Sequence, residues 1–246
     1  MTTLNNKVAI VTGSSKGIGA QIAILLAESG AKTVINYAND DAAANDIVSQ
    51  IKSAGGEAIA VQADVSDSQQ VATLFDTTVS EFGKPDILVN SAGMMINKPI
   101  AETTDEDFDR TFAVNVKGTF NTLREAAAKL NNGGRVVNLS STTTRMMLPT
   151  YGTYCATKGA VEQLTRVFAK EIGERGITVN AVSPGPTDTE LFNQGKSDET
   201  IEKLANMSAF NRIGEPVDIA RVVAFLVSEE AAWVTGQNIG ANGGVA

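Results

Sequence analysis

Val8-Ala9-Ile10-Val11, running straight into Thr12-Gly13-Ser14-Ser15-Lys16-Gly17-Ile18-Gly19, is the stretch that decides the fold. A continuous apolar run of this kind suits a parallel strand buried on both faces. Ile18, Ile22, Leu25 and Leu26 then recur at helical spacing, and Gly30 supplies a C-terminal stop. Three glycines at the strand-to-helix turn let the backbone bend sharply and approach a pyrophosphate. The unpaired N–H groups and partial positive charge of the helix start would receive that anion. A glycine cluster alone reads equally well as a tight turn; its place in the first strand–turn–helix unit shifts the weight toward a nucleotide. Its spacing, Gly-x-x-x-Gly-x-Gly, differs from the Gly-x-Gly-x-x-Gly of most two-domain dehydrogenases.

Outward from this unit the alternation continues. Residues 33–36, 58–61, 87–89, 136–139, 177–182 and 237–239 read as further strands. Between them, helical periods run to about residue 53, through Val71, Leu74, Phe75 and Val79, and over 152–172. A long helix is expected over 105–130, with Thr104 and Asp107 as its capping start. Another is expected from Pro216, well placed in a first turn, to residue 227. About seven strands alternating with six or seven helices predict an α/β fold, a doubly wound parallel sheet with helices on both faces (a Rossmann fold). With no repeat or linker, residues 1–246 read as a single dinucleotide-binding and catalytic domain. The irregular stretch 186–211 reads as a substrate loop.

Composition narrows the function. The 246 residues are 43% apolar and 20% charged, with a net charge of −8, a poor match to nucleic-acid binding. No apolar run reaches the roughly 18 residues of a membrane span, and the N-terminus lacks a secretory pattern, so the cytoplasm is the expected compartment. One cysteine, Cys155, excludes an internal disulfide. There is no histidine, which excludes a Ser-His-Asp triad and a His-rich zinc site; no metal is expected. Proton transfer must then use Tyr, Lys, Ser, Asp, Glu or water.

Tyr154-Cys155-Ala156-Thr157-Lys158 offers one way to do that. Residues four apart share a helix face, which places phenol and ammonium side by side. A neighbouring cation is expected to lower the tyrosine pKa. Alone, such a pair is more often an exposed surface pair. Its setting reverses that: Ser140 and Ser141 close a strand thirteen positions earlier, and Asn90-Ser91-Ala92-Gly93 follows the fourth strand, at the carboxyl end of the sheet.

Together these residues closely resemble the short-chain dehydrogenase/reductase family. The resemblance covers nearly the whole chain, through the motif at 12–19, Asp64-Val65, Asn90 to Gly93, Asn115, Ser141, the Tyr154/Lys158 pair and Pro184-Gly185, to the terminal Ala241-Asn242-Gly243-Gly244. It implies a catalytic set of Ser141, Tyr154, Lys158 and Asn115. Tyr154 would be the acid in reduction and the base in oxidation. Lys158 would tune it and hold the ribose hydroxyls, Ser141 would polarise the substrate carbonyl, and Asn115 would hold a water linking Lys158 to solvent. The cofactor would lie on Gly13, Ser15, Lys16, Gly17, Ile18 and Gly19, on Asn90, Ala92 and Gly93, and on Tyr154 and Lys158. Asp64 would bond the adenine amino group and Val65 would pack its ring. Pro184, Gly185, Thr187 and Thr189 would embrace the nicotinamide. Ser91 stands where Asn is usual, and Asn242 where Asp is usual.

NADP(H) is expected to be preferred, with NAD(H) possible. NAD enzymes of this type carry a carboxylate at the end of the second strand. Here Asn36, Tyr37 and Ala38 occupy that place, while Lys16 could reach a 2′-phosphate; Asp40 and Asp41 would weaken the preference if they fold back. Met94, Met95, Met146, Met147, Tyr151, Leu191 and Phe192 are candidates for the substrate pocket, each equally readable as core. The expected reaction is reduction of a small-molecule ketone or aldehyde, or the reverse. The alternatives are a 3-oxoacyl-[acyl-carrier-protein] reductase, for which the helix ending at Lys129 is poor in positive charge, and a sugar or polyol dehydrogenase. A dinucleotide-binding regulator without turnover fits poorly with an intact Tyr/Lys pair. The resemblance implies a homotetramer, and the apolar chain end from Ala231-Ala232-Trp233-Val234 onward offers surface for one.

Overall fold

The computed structural model describes residues 3–246. Its strands are β1 (Val8–Thr12), β2 (Lys32–Tyr37), β3 (Ala58–Gln62), β4 (Ile87–Asn90), β5 (Arg135–Leu139), β6 (Thr178–Pro184) and β7 (Asn238–Ala241). They form one seven-stranded sheet in the order β3-β2-β1-β4-β5-β6-β7. Every pairing is parallel. The order reverses between β1 and β4, which opens a crevice at the carboxyl ends of the strands.

All five residues of β1 are buried, because both faces of the sheet are covered. On one face, Ala9, Val11 and Ile35 pack with Ile22 and Leu26 of α1 (Gly17–Glu28), Val48 of α2 (Asp41–Ser53), and Ile219 and Val223 farther along the chain. On the other, Ile10, Val34 and Leu88 pack with Leu74 and Phe75 of α3 (Ser68–Phe82) and with Leu123 and Phe168.

The helix expected over 105–130 is three segments. It begins as α4 (Asp105–Phe112), where Thr104 and Asp107 form the expected capping box. It widens to a π-helical turn at Ala113–Lys117 and resumes as α5 (Gly118–Lys129). A π-turn inserts a residue without breaking the axis, and such insertions concentrate at functional sites. Asn115 sits inside it.

A short α6 (Thr143–Met146) follows β5, then α7 (Gly152–Glu171). The irregular stretch after β6 contains two helices, α8 (Glu190–Asn193) and α9 (Asp198–Ala205). Their N-caps are Thr189, which accepts from the Phe192 N–H, and Ser197, which accepts from the Thr200 N–H. The stretch is pinned at its base by a bridge between Thr187 and Gly214 and at its far end by Ala209, whose N–H donates to the Gly243 carbonyl. α10 (Pro216–Leu226) completes the first helical face, with Pro216 in its first turn. Among the described residues, no helix is long and apolar enough to cross a membrane.

Candidate active site

A cleft of about 380 Å3 opens at the carboxyl ends of β1, β4, β5 and β6. Its first wall is the turn after β1. Gly13 has φ +60°, and a Cβ there would stand 2.7 Å from the Ala92 Cα, so only glycine lets this turn lie against the loop after β4. Lys16, the N-cap of α1, makes no side-chain bond to the first turn, and no acidic residue stands there. The helix start is therefore uncapped and open to an anion. Gly13, Ser15, Lys16, Gly17, Ile18 and Gly19 all line this wall, with Ala92 and Gly93 opposite. Pro184, Gly185, Thr187 and Thr189 form the next wall.

Five of the expected cofactor residues are not in the lining. Asn36 is fully buried; its amide donates to the Val61 and Ala63 carbonyls (3.3 and 3.0 Å) and its oxygen accepts from the Gly13 N–H (3.3 Å). It shapes the glycine turn from behind. Asn90 is also buried, donating to Asn138 (2.8 Å) and accepting from Thr122 (2.7 Å). Tyr37 donates its hydroxyl to Asp41 at 2.5 Å, so Asp41 does fold back toward the end of β2. Donating that bond, which holds the phenol neutral, raises the Tyr37 pKa, with burial and the Asp41 charge adding to it. Asp64 accepts from the Ser66 N–H and hydroxyl, both at 2.8 Å. Val65 is buried against Gly118.

The floor is built from β5, α7 and the π-turn. Tyr154 and Lys158 lie one turn apart on α7, with the ammonium 5.6 Å from the ring centroid. Ser141 stands just past the end of β5, with its hydroxyl beside the Tyr154 phenol. Lys158 is buried and donates to the Leu139 carbonyl at 2.7 Å. Burial pushes Tyr154 up to about 12, with the Ser141 bond pulling the other way. Burial pushes Lys158 down to about 8. The expected lowering of the tyrosine pKa by Lys158 is thus corrected. Lys158 is buried and Tyr154 half-buried; desolvation favours the neutral form of each, and it outweighs their mutual attraction.

Asn115 is a clamp. Its amide donates to the Met94 carbonyl (2.9 Å) and the Thr157 hydroxyl (3.0 Å), and its oxygen accepts from the Met94 N–H (2.8 Å). Its own carbonyl accepts from the Thr119 hydroxyl. Both amide hydrogens are therefore used on protein groups, which ties the loop after β4 to α7 beside Lys158. Gly93 keeps the junction open: a Cβ there would lie 3.4 Å from the Asn115 oxygen and 3.6 Å from the Lys158 ammonium.

Met95, Met146, Leu148, Tyr151, Leu191, Phe192 and Leu204 give the remaining cleft an apolar lining. Met94 and Met147, two of the candidates, are not part of it. Sequence reasoning missed Thr143, Leu148 and Leu204 among the residues that do line it. Thr143 lies in a run of three threonines with no period to mark it, and Leu204 lies on a helix that its Ser197 cap could have disclosed. Of the two departures noted in the sequence, Ser91 donates its N–H to Thr12 and Asn242 donates to the Thr142 hydroxyl.

Residues 13–246 match the family model described as enoyl-(acyl carrier protein) reductase. The chain is 48% identical over 255 residues to an NADPH-dependent aldehyde reductase-like chloroplastic protein of Arabidopsis thaliana, covering 98% of this chain and 94% of that one. Its fold superimposes with a TM-score of 0.94 on an angucycline C-6 ketoreductase crystallised with bound NADP, 41% identical, covering 99% and 97% of the two chains. A short-chain dehydrogenase from Burkholderia cenocepacia in complex with NADP is 36% identical, with a TM-score of 0.93 and 98% of each chain covered. A parallel seven-stranded sheet with a glycine turn facing a serine, tyrosine and lysine agrees with these likenesses, and the chain belongs to the short-chain dehydrogenase/reductase family of oxidoreductases.

Proposed function

We propose that the protein is an NADPH-dependent reductase of apolar ketones and aldehydes. The observation that carries this reading is the convergence of Ser141, Tyr154 and Lys158 on the floor of an apolar cleft whose other end is an uncapped helix start. The glycine turn of residues 13–19 fits a pyrophosphate, and the walls at 92–93 and 184–189 fit the nicotinamide half. NADP bound to two structural neighbours, and the NADPH in the name of the Arabidopsis relative, support the phosphorylated cofactor. That cofactor, when bound, supplies the hydride.

The remaining steps belong to the chain's own side chains. A phenol held above its ordinary pKa is protonated at neutral pH, the form that gives a proton to a carbonyl oxygen. Ser141 donates a hydrogen bond to that same oxygen and polarises the carbonyl. Lys158 keeps one hydrogen on Leu139, which leaves its others for ribose hydroxyls and for resupply of the proton on Tyr154. Asn115 positions the loop after β4 against α7. The apolar lining favours a neutral, hydrophobic carbonyl over a sugar or polyol, and Leu191, Phe192 and Leu204 place the 186–211 segment over the substrate.

The test is purified protein with NADPH or NADH and a panel of aliphatic and aromatic ketones and aldehydes, followed by loss of reduced-nicotinamide absorbance. Turnover of apolar carbonyls, faster with NADPH, is expected. No turnover of any carbonyl with either cofactor overturns the reading. The assembly we propose is a homotetramer, as the resemblance implies; Trp233 is 98% exposed and Phe210 71%, large apolar side chains that a subunit interface would cover. Light scattering at micromolar concentration should return four times the chain mass, and a monomer would refute it.

A further inference from the structure

Thr143 is absent from the catalytic set above, yet its side chain lines the cleft and touches Ser141. Its hydroxyl donates to the Ser141 hydroxyl oxygen at 2.9 Å, and its backbone N–H donates to the same oxygen at 3.3 Å. The Thr143 backbone is itself fixed: its carbonyl accepts from the Met147 N–H (3.0 Å) and from the Cys155 thiol (3.2 Å). Cys155 is next in sequence to Tyr154, so the start of α6 is tied to the helix that carries the phenol.

We infer that Thr143 is a positioning residue that makes Ser141 an obligate hydrogen-bond donor in the reaction, an inference that rests on the reductase reading above. A serine hydroxyl has one proton and two acceptor sites. Thr143 fills both acceptor sites, once with its hydroxyl and once with its N–H. The only bond left to Ser141 is the one it donates, and that proton faces the phenol and the place of the substrate oxygen. A bond accepted from Thr143 also polarises the serine O–H and strengthens what it donates. A carbonyl oxygen can only accept, so a serine fixed as donor selects the carbonyl over a competing donor such as water turned the other way. Without the threonine hydroxyl, the serine rotor is free to turn its proton to other acceptors.

Thr143→Val keeps the shape and removes only the hydroxyl donor. With NADPH and the best ketone of the panel, kcat should fall about tenfold, the worth of one well-placed hydrogen bond. KM should change less than about threefold, since the effect grows as charge develops on the carbonyl oxygen. Thr143→Ser should return kcat to within about threefold of wild type, and NADPH affinity, read by fluorescence, should be the same in all three proteins. In a Ser141→Ala background, Thr143→Val should cost nothing further, because the threonine acts through the serine. Wild-type kcat in Thr143→Val, no rescue by serine, or an undiminished loss in the Ser141→Ala background would each overturn the inference. If the wild-type protein reduces no carbonyl, the reductase reading fails separately. The inference is then decided by the 13Cζ resonance of Tyr154 in labelled protein. It should move in Thr143→Val and hold in Thr143→Ser, and equal resonances in all three would overturn it.

Discussion

Two groups of polar side chains, the first buried and the second buried except for a half-buried tyrosine, lie at neighbouring positions of the fold, and they are treated differently. Asn90 and Asn138 are register partners on β4 and β5. Asn138 accepts from Asn90 and donates to Thr165 at 2.8 Å, Thr165 donates to the Val161 carbonyl, and Thr122 donates to Asn90. Neutral amides and hydroxyls close this network on themselves. A few residues farther along the same strand and helix, Ser141, Tyr154 and Lys158 hold an acid and a base, and each of those two is pushed toward its neutral form by burial. The first group stabilises because its polar atoms have partners. The second is held out of water with hydrogen-bonding capacity left over, and that surplus is what a substrate and a ribose would use. Burial of polar groups alone therefore does not mark a site; surplus capacity beside a displaced pKa does.

Removing the acid should give the largest effect. Tyr154→Phe is expected to lower kcat by 10²–10⁴-fold, the usual worth of a positioned proton donor, while the far-ultraviolet spectrum and NADPH affinity hold. Retention of more than about a tenth of the activity would take the proton step away from Tyr154.

The second effect has the opposite sign and separates the two groups by stability. Lys158 is buried with a pKa of about 8 against an ordinary 10.5. Its protonated form is therefore disfavoured in the fold, and that penalty is complete below pH 8. It fades as pH rises toward 10.5, where the unfolded chain also gives up the proton. At about 1.4 kcal/mol per unit, the penalty near neutrality is about 3 kcal/mol. Lys158→Met should remove it, lose the bond to Leu139 at a cost of about 1 kcal/mol, and so gain about 2 kcal/mol in urea unfolding at pH 7. The gain should shrink by pH 10. A less stable variant at pH 7 would mean that the lysine is a structural member like the asparagines.

Asn138→Leu probes the other group. It leaves the Asn90 amide without its acceptor inside the sheet, which should cost about 2 kcal/mol. The kcat of the folded fraction should stay within about twofold of wild type. A loss of kcat with unchanged stability would erase the distinction between the two groups.

The sheet, its glycine turn and the Ser141/Tyr154/Lys158 floor were all legible in the sequence, because each depends on local pattern. Apolar runs give strands, glycines give the turn, and a spacing of four gives the shared helix face. Side-chain direction was not legible. Asn90 opens a motif whose later residues face the cleft, and Asn36 lies at a strand end behind the glycine turn, but the side chains of both bond inside the fold. The π-turn at Ala113–Lys117 was hidden because its residues have ordinary helical character, and the partner that Asn115 finds from it, Met94, lies 21 positions away across the fold. The pKa of Tyr154 was misjudged for a similar reason: spacing places the ammonium, but only tertiary structure shows how much water both groups have lost.

At the mouth of the cleft the contrast weakens, because water screens the charges there. Lys16, expected to meet a 2′-phosphate, pairs with Glu190 of α8 at 2.7 Å, and both side chains are largely exposed. A 2′-phosphate and Glu190 would compete for one ammonium. An exposed pair is worth about 0–1 kcal/mol, so the competition is mild, and a dianionic phosphate with several oxygens should win it. Asp41, folded back onto Tyr37, adds a second negative charge near the end of β2 and offsets part of the attraction. Two opposing variants follow. Lys16→Ala should lower the ratio of kcat/KM for NADPH over NADH about tenfold, less than a buried charge pair would give because the site is wet. Glu190→Gln keeps the size of the side chain, frees Lys16, and should raise the same ratio, by no more than about fivefold. The two changes should not add: with Lys16 gone, Glu190→Gln has no ammonium to release, and its effect should fall to that of removing one distant negative charge. Full additivity in the double variant would show that Glu190 acts on the cofactor by long-range repulsion and that its bond to Lys16 is incidental.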